Sequence, residues 1–131
     1  MNEQKCEKII NIVSIHSTIN FLGISMPTYC TSKSTIWLLT KTLVTERTKY
    51  NITVNTIKQR YFLSELTNSI IAIEESQKAI KRYCPMSRVG CDDELDEAIT
   101  YFTSDTSSYT TGQLLIIDDN WTTLVSEVQF L

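Results

Sequence analysis

The sequence predicts an α/β fold with about three parallel strands and flanking helices, a piece of a larger doubly wound sheet. Three short runs of apolar and β-branched residues alternate with stretches of helical periodicity along the 131 residues. Strands that alternate with helices pair in parallel through right-handed crossovers. Three strands are few for a parallel sheet, which normally has both faces and most edges covered. We therefore expect residues 1–131 to form a single partial domain.

The first half of the chain predicts a strand, a helix and a second strand. Residues 9–13 are apolar at nearly every position, as in a strand buried on both faces. The period becomes helical from about residue 27 to residue 50, and residues 51–57 are again rich in β-branched side chains. Residues three or four apart define two lines along the helix: Ile36, Leu39 and Leu43 in one, and Tyr29, Lys33, Trp37 and Lys41 in the other.

The second half predicts two further helical stretches and a third strand. A loose helical stretch runs from about residue 63 to residue 82, and a loop with Pro85 and Gly90 follows. Residues 92–94 are acidic and open the next helix, where negative charge suits the positive end of the helix dipole. A short buried strand is predicted at residues 114–117. In the helix predicted to begin at residues 92–94, the apolar face comprises Leu95, Ala98, Ile99 and Phe102.

Composition excludes several classes of function. With 12 basic and 15 acidic residues the formal charge is −3, which argues against a nucleic-acid partner. Apolar residues make up 42% of the chain and charged residues 21%, as in a globular protein. The three glycines, Gly23, Gly90 and Gly112, lie far apart. Neither a GxGxxG dinucleotide turn nor a P-loop is therefore present in this sequence.

The cysteines and the first residues predict a cytoplasmic protein without a metal site. Cys6, Cys30, Cys84 and Cys91 include no CxxC pair, and the chain has one histidine. Neither a zinc site nor a disulfide framework is expected from this pattern. The first residues contain no apolar signal segment. Residues 9–32 carry no formal charge, but polar side chains interrupt them, so we expect no membrane span.

Tyr29 and Lys33 form the most informative pair for chemistry. Four residues apart near the start of a helix, their side chains point the same way. A lysine ammonium beside a phenol favours the phenolate and lowers the phenol's pKa from about 10. Such a phenol can exchange a proton with a carbonyl or alcohol oxygen. The pair predicts reversible ketone–alcohol chemistry.

Ser14 is the expected third member of this site. It follows the first strand, and its hydroxyl can donate a hydrogen bond to the same substrate oxygen. His16 and Ser17 are competing candidates for that role, and His16 is also explained as a loop residue. Side chains supply no hydride, so a nicotinamide cofactor would have to bring it.

Nearly the whole chain, from about Lys8 to Thr122, resembles the short-chain dehydrogenase/reductase family. The first strand ends in the family's N-I-x-S pattern as Asn11-Ile12-Val13-Ser14, and the helix carries Y-x-x-x-K as Tyr29-Cys30-Thr31-Ser32-Lys33. The likeness is greatest to sugar-acid and 3-oxoacyl-carrier reductases. It continues in family order through residues 49–57, 61–66, 85–90, 104–113 and 118–121.

The resemblance implies a Rossmann-like fold and a role for each matching residue. Ser14 would orient the substrate oxygen, Tyr29 would be the acid/base, and Lys33 would depress its pKa and bind the nicotinamide ribose. Ser64 would match a hydroxyl residue that contacts the cofactor. The implied cofactor is NAD or NADP, and the implied substrate is a small carbonyl or alcohol compound. Because the family pairs this helix across a dimer, a homo-oligomer or association with full-length relatives is expected.

The sequence also departs from the family pattern. The family's opening glycine-rich turn, its next three strands and the asparagine of its proton relay are not in this sequence. The chain is therefore expected to be the C-terminal part of the fold. Gln59-Arg60 replaces a Pro-Gly pair, and Asp118-Asp119-Asn120 replaces Asp-Gly-Gly. The isolated chain is accordingly expected to be weak or inactive as a reductase. The alternative is a non-catalytic remnant that acts as an interaction module or is a decayed gene product.

Overall fold

A three-stranded parallel sheet forms the centre of the molecule. The computed structural model describes residues 7–19 and 26–128. The strands are β1 (Glu7–Ser14), β2 (Ile52–Gln59) and β3 (Leu114–Ile117), in the order β1-β2-β3. In register, Ser14 lies beside Gln59 and Gln59 beside Ile117. The predicted parallel sheet is confirmed, and its three carboxyl ends meet at one edge.

Burial differs sharply between the first two strands. β2 is buried from Ile52 to Lys58, as expected of a central strand. In β1, burial is complete only at its end, where Val13 is buried, and Ile12 is 37% exposed. The prediction that the first strand is buried on both faces is therefore wrong. Within the described part of the chain, β1 has β2 as its one neighbour in the sheet, so its surface is covered less.

Five α-helices in the described residues flank the strands. The first begins at Pro27, whose fixed φ suits the first helical position and which has no N–H to leave unpaired. The helical stretch predicted over residues 63–82 is divided in two, because Ile73 has extended backbone angles (φ −70°, ψ 134°). In the described ranges, no helix is long and apolar enough to cross a bilayer. The helices are α1 (Pro27–Arg47), α2 (Glu65–Ile71), α3 (Glu74–Tyr83), α4 (Asp96–Thr103) and α5 (Trp121–Val128).

A polar contact joins α1 to two strands. Thr40 is fully buried, and its Oγ1 accepts hydrogen bonds from Asn11 Nδ2 on β1 at 2.8 Å and from Thr56 Oγ1 on β2 at 2.9 Å. The same hydroxyl donates to the Ile36 carbonyl at 3.0 Å, so its hydrogen-bonding capacity is used. Leu39, predicted on the apolar line, is instead 48% exposed. The helix therefore contacts the sheet through Thr40, one residue further along.

Candidate active site

A cavity of about 420 Å³ opens at the carboxyl ends of β1 and β2. This volume lies within the range of small-molecule sites. Ser14, Tyr29, Lys33 and Ser64, the four site residues predicted from the sequence, all line it. The structure thus brings together residues that span fifty positions of the chain. His16, Arg60, Tyr61, Phe62 and Asp92 contribute further polar and aromatic surface.

Ser14 is the last residue of β1 and caps the short turn that follows. Its Oγ accepts a hydrogen bond from the backbone N–H of His16 at 3.3 Å. An N-cap hydroxyl that accepts in this way keeps its own proton for donation. The side chain is buried at the cavity wall. Ser14 is therefore positioned as a hydrogen-bond donor with little freedom to move.

Tyr29 and Lys33 occupy the beginning of α1 and face the cavity together. The Lys33 Nζ lies 5.8 Å from the centre of the Tyr29 ring. It also donates to the Ile12 carbonyl of β1 at 3.4 Å. The Tyr29 side chain is 42% exposed, so a ligand in the cavity can reach its hydroxyl. The four-residue spacing produces the shared face expected from helix geometry.

His16 contributes an imidazole beside the phenol. Its ring meets the Tyr29 ring edge to face, with 6.2 Å between centroids. Burial lowers the pKa of His16, a hydrogen bond with the Ile19 backbone raises it, and the positive charge of Arg60 lowers it. The net result is a pKa below the ordinary value, so this imidazole is mainly neutral at pH 7.

The three candidates for the serine role differ in whether they line the cavity. Ser14 and His16 both line the cavity, whereas Ser17 is not among its lining residues. The Ser17 carbonyl accepts a hydrogen bond from the Ser34 hydroxyl of α1 at 2.7 Å. Of the two hydroxyl candidates, Ser14 is the one beside Tyr29 and Lys33 in the cavity.

Ser64 has a structural task that the sequence reasoning missed. It is the N-cap of α2, and its Oγ accepts the backbone N–H of Thr67 at 3.2 Å. The Thr67 hydroxyl lies 2.9 Å from the same oxygen and donates to the Phe62 carbonyl at 2.6 Å. A serine followed by an acidic residue at a helix start is the signal that could have identified this cap.

Arg60 is a prominent residue of the cavity that was given no role from the sequence. Its guanidinium carbon lies 3.2 Å from the centre of the Trp121 ring and 4.5 Å from that of Tyr61. Burial lowers the pKa of Arg60, while Tyr61, Cys84 and Asp118 raise it. A cation directly after the central strand was the available signal, because carboxyl ends of parallel strands form ligand sites.

The identity of the family follows from comparison of the whole chain. The family described as enoyl-(acyl carrier protein) reductase matches residues 1–122. The chain belongs to the short-chain dehydrogenase/reductase family. The Rossmann-like α/β fold expected from the resemblance is confirmed for this family member.

The names of several relatives describe enzymes that act on sugar acids. The chain is 32% identical over 118 residues to 5-keto-D-gluconate 5-reductase of Escherichia coli K12, covering 90% of this chain and 46% of that protein. It is 33% identical over 114 residues to 2-dehydro-3-deoxy-D-gluconate 5-dehydrogenase of Dickeya dadantii, covering 87% of this chain and 44% of that one. The chain thus spans about half the length of these relatives.

A solved structure shows the same architecture. It is a gluconate 5-dehydrogenase from Burkholderia cenocepacia in complex with NADP and tartrate. The two chains share 28% identity with a TM-score of 0.86, over 93% of this chain and 47% of the other. The similarity thus covers about half of the solved chain.

The residues present fit one end of the cofactor that this reductase family uses. Tyr29, Lys33 and Ser64 offer a phenol, an ammonium and a hydroxyl, the polar groups that a ribose and a nicotinamide can bond. Gly90 lies against the Phe62 ring, and Gly112 lies near the Val44 methyls. In residues 7–19 and 26–128, no group of three or more potential ligands is arranged to hold a metal ion.

Proposed function

We propose that this chain carries the proton-transfer part of an NAD(P)-dependent oxidoreductase that interconverts a ketone and a secondary alcohol. The observation that carries the proposal is the meeting of Ser14, Tyr29 and Lys33 on one cavity of small-molecule size. The substrate class proposed is a sugar acid, with a 3-oxoacyl compound as the runner-up. The gluconate-derived names of the relatives and the tartrate in the Burkholderia structure support the former.

Each of the three side chains has a distinct role in this proposal. Tyr29 donates its phenolic proton to the carbonyl oxygen during reduction and accepts it back during oxidation. Lys33, next to the ring, stabilises the phenolate by its positive charge. Ser14 donates a hydrogen bond that orients the substrate oxygen and stabilises the charge developing on it. When bound, the nicotinamide supplies or accepts the hydride. Lys33 would bind its ribose, and Tyr29 and Ser64 would also contact the cofactor.

The proposal includes weak cofactor binding by the isolated chain. Much of the affinity for a dinucleotide comes from its phosphates, bound at a glycine turn and a helix N-terminus. This sequence has three widely separated glycines and contains no such turn. We expect little or no turnover from the 131 residues alone.

A chimera tests the catalytic assignment. The preceding half of E. coli 5-keto-D-gluconate 5-reductase, joined to this chain, is expected to oxidise NADPH with 5-keto-D-gluconate. Tyr29→Phe in the chimera should lower kcat by about 10²–10⁴, the range for loss of a general acid. Lys33→Gln should also lower kcat.

The control is Lys41→Gln on the same helix. The Lys41 Nζ lies 4.8 Å from the centre of the Trp37 ring, an arrangement similar to that of Lys33 and Tyr29. Lys41 is not among the residues that line the cavity. Its replacement should leave kcat unchanged. Undiminished kcat in the Tyr29→Phe chimera would refute the proposed role of the phenol. Ready turnover by the unfused chain would refute only the expectation of weak activity.

An interaction module is the second candidate, favoured by the exposed surface of β1 and α1. The other edge of β1 bears no strand within the described residues, and open edges recruit partners. Leu38 on α1 is 61% exposed, and Trp37 beside it is half-buried. The partner would be a second copy or a full-length relative. Sedimentation that shows only monomer at all concentrations would count against it.

A cytoplasmic location also belongs to the proposal. Cys30, Cys84 and Cys91 are free thiols. Free thiols are typical of reducing compartments. Measuring the fraction of enzyme in cytosolic extracts tests this location, and recovery in secreted medium would contradict it.

A further inference from the structure

Gln59 adds a carboxamide to the cavity wall beside Ser14. It is the last residue of β2, it is half-buried, and it is among the residues that line the 420 Å³ cavity. The parallel register pairs it directly with Ser14, the last residue of β1. Paired residues of neighbouring strands lie about 4.8 Å apart and direct their side chains to the same face of the sheet. The amide therefore belongs to the same part of the cavity as the Ser14 hydroxyl.

The oxygen of this amide is enclosed without a donor. Within residues 7–19 and 26–128, Gln59 Oε1 is buried and has no hydrogen-bond partner. A buried acceptor without a donor is unfavourable, and a bound ligand or water is the usual explanation for such a group. The last side-chain torsion of glutamine is soft, so rotation about it can turn either Oε1 or Nε2 towards a ligand. A donor that enters the cavity would remove the cost.

The other polar residues of the cavity contribute hydrogen bonds to the fold. Ser14 caps the turn after β1, Ser64 caps α2, and Lys33 donates to the Ile12 carbonyl. The Gln59 oxygen contributes no such bond to the described part of the chain. Gln59 also occupies a position where the resemblance to the family predicts proline, which has no polar side chain. A role towards a ligand therefore explains this amide better than a role in folding.

We infer that the Gln59 amide binds a hydroxyl on the carbon next to the reacting carbonyl, so that the site selects a hydroxylated keto acid. This inference deepens the proposed function and rests on it. With the keto oxygen at Ser14 and Tyr29, the neighbouring carbon lies within reach of a long side chain on the adjacent strand end. A hydroxyl both donates and accepts, as does a carboxamide.

The amide distinguishes the two substrate classes proposed for this chain. A sugar acid carries a hydroxyl beside its ketone, whereas a 3-oxoacyl compound has methylene groups there. A methylene against Gln59 leaves the enclosed oxygen unpaired, and a site built to bind a hydroxyl rejects an analogue that lacks it. Gln59 therefore favours the sugar acid over the 3-oxoacyl compound.

NMR titration of the full chain tests the inference without requiring turnover. The probes are 5-keto-D-gluconate and 5-oxohexanoate, which share chain length, ketone position and carboxylate but differ in their hydroxyls. We expect 5-keto-D-gluconate to bind more tightly and to shift the Gln59 side-chain N–H signals, which are assigned by their loss in Gln59→Met. This unbranched replacement should weaken 5-keto-D-gluconate binding about tenfold and should not weaken 5-oxohexanoate binding.

Gln77→Met is the matched control, because Gln77 is exposed on α3 and is not among the residues that line the cavity. It should leave both affinities unchanged, and circular dichroism should show that both variants fold. Without ligand, the urea midpoint of Gln59→Met should equal or exceed that of the parent, since no hydrogen bond of Oε1 is lost.

Several results would overturn the inference. They are equal 5-keto-D-gluconate affinity in the parent and Gln59→Met, equal binding of the two keto acids by the parent, and no binding of 5-keto-D-gluconate. A lower urea midpoint in Gln59→Met would show that the amide stabilises the fold instead. Nicotinamide is the third probe, because its carboxamide can also donate to Oε1, and a Gln59 signal that responds to nicotinamide alone would contradict a substrate contact. The Tyr29→Phe chimera measures turnover, so the two ideas fail separately.

Discussion

Two corners of the molecule meet at the carboxyl edge of the sheet and differ in what they retain. The first corner, where β1 leads to α1, keeps Ser14, Tyr29 and Lys33 of the family pattern around the cavity. The second corner, where β2 and β3 end, has Arg60, Asp119 and Asn120 at positions where the resemblance of the sequence to the family predicts glycine. The backbone of the second corner is left-handed at two successive residues, since Asp119 has φ 56° and Asn120 has φ 59°.

The left-handed turn of the second corner is stabilised by its own side chains. A left-handed conformation costs a non-glycine residue about 1–2 kcal/mol, although Asn and Asp tolerate it best. The turn is held by Asp118, which caps α5, and by Asp119, which binds the Met86 N–H. These contacts offset the cost of the turn.

Gly90→Ala should give the largest change in stability. A Cβ at this position would lie 2.5 Å from Cε1 of Phe62, a buried ring on the wall shared by both cavities. The ring must move, which should lower the free energy of unfolding by about 1–3 kcal/mol. Urea unfolding monitored by circular dichroism measures the change. An unaltered unfolding midpoint would mean that Phe62 can be displaced without loss of stability.

Two substitutions with opposite expected effects on stability test the contribution of backbone conformation. Gly112 has φ +73°, and a Cβ there would meet only Val44 methyls at 3.6 Å, an ordinary contact. Gly112→Ala should therefore destabilise the fold by about 1 kcal/mol through φ alone. Asn120→Gly should stabilise it by up to about 1 kcal/mol, because glycine favours positive φ. Thermal unfolding of both variants is the measurement, and shifts in the same direction would contradict the backbone explanation.

The smallest effect concerns the rim of the second corner. Arg88 forms a two-pronged ion pair with Glu94, at 2.7 and 2.6 Å, and the Cys91 N–H adds a hydrogen bond at 2.7 Å. These contacts lower the pKa of Glu94 from 4.5 to about 2. The stabilisation is complete above pH 4.5 and is lost as pH falls towards 2. Because both groups are exposed, the effect should be small.

Arg88→Gln tests this pH dependence. It should flatten the decline of stability between pH 4.5 and 2, as measured by urea unfolding at several pH values. Lys78→Gln, which breaks the exposed Lys78–Glu74 pair on α3, is the control. An acid profile of Arg88→Gln that is identical to that of the parent would contradict the assignment.

Local pattern was sufficient for the fold and for the first corner. The parallel order of three strands follows from alternation with helices, and the meeting of Tyr29 with Lys33 follows from a four-residue spacing. Both depend on neighbours in sequence. Ser14 joins them because α1 begins at the edge of the sheet where β1 ends.

Contacts between residues far apart in the sequence could not be predicted from local sequence pattern. The exposure of Leu39 depends on where α1 lies over the sheet, and that is decided by Thr40, Asn11 and Thr56 together. Arg60 acquires its setting from Trp121, sixty-one positions later. Hydrophobic periodicity records neither hydrogen bonds between polar core residues nor a cation stacked on an indole.

The buried threonine of α1 has a consequence for motion. Because the Thr40 hydroxyl is bonded to both β1 and β2, rolling or sliding of this helix breaks two enclosed polar contacts at once. We therefore expect α1 and the two strands to move together. Motion of the cavity wall is then expected mainly on the opposite side, where α2 is only seven residues long. Amide exchange should accordingly be slow around Thr40 and fast along α2.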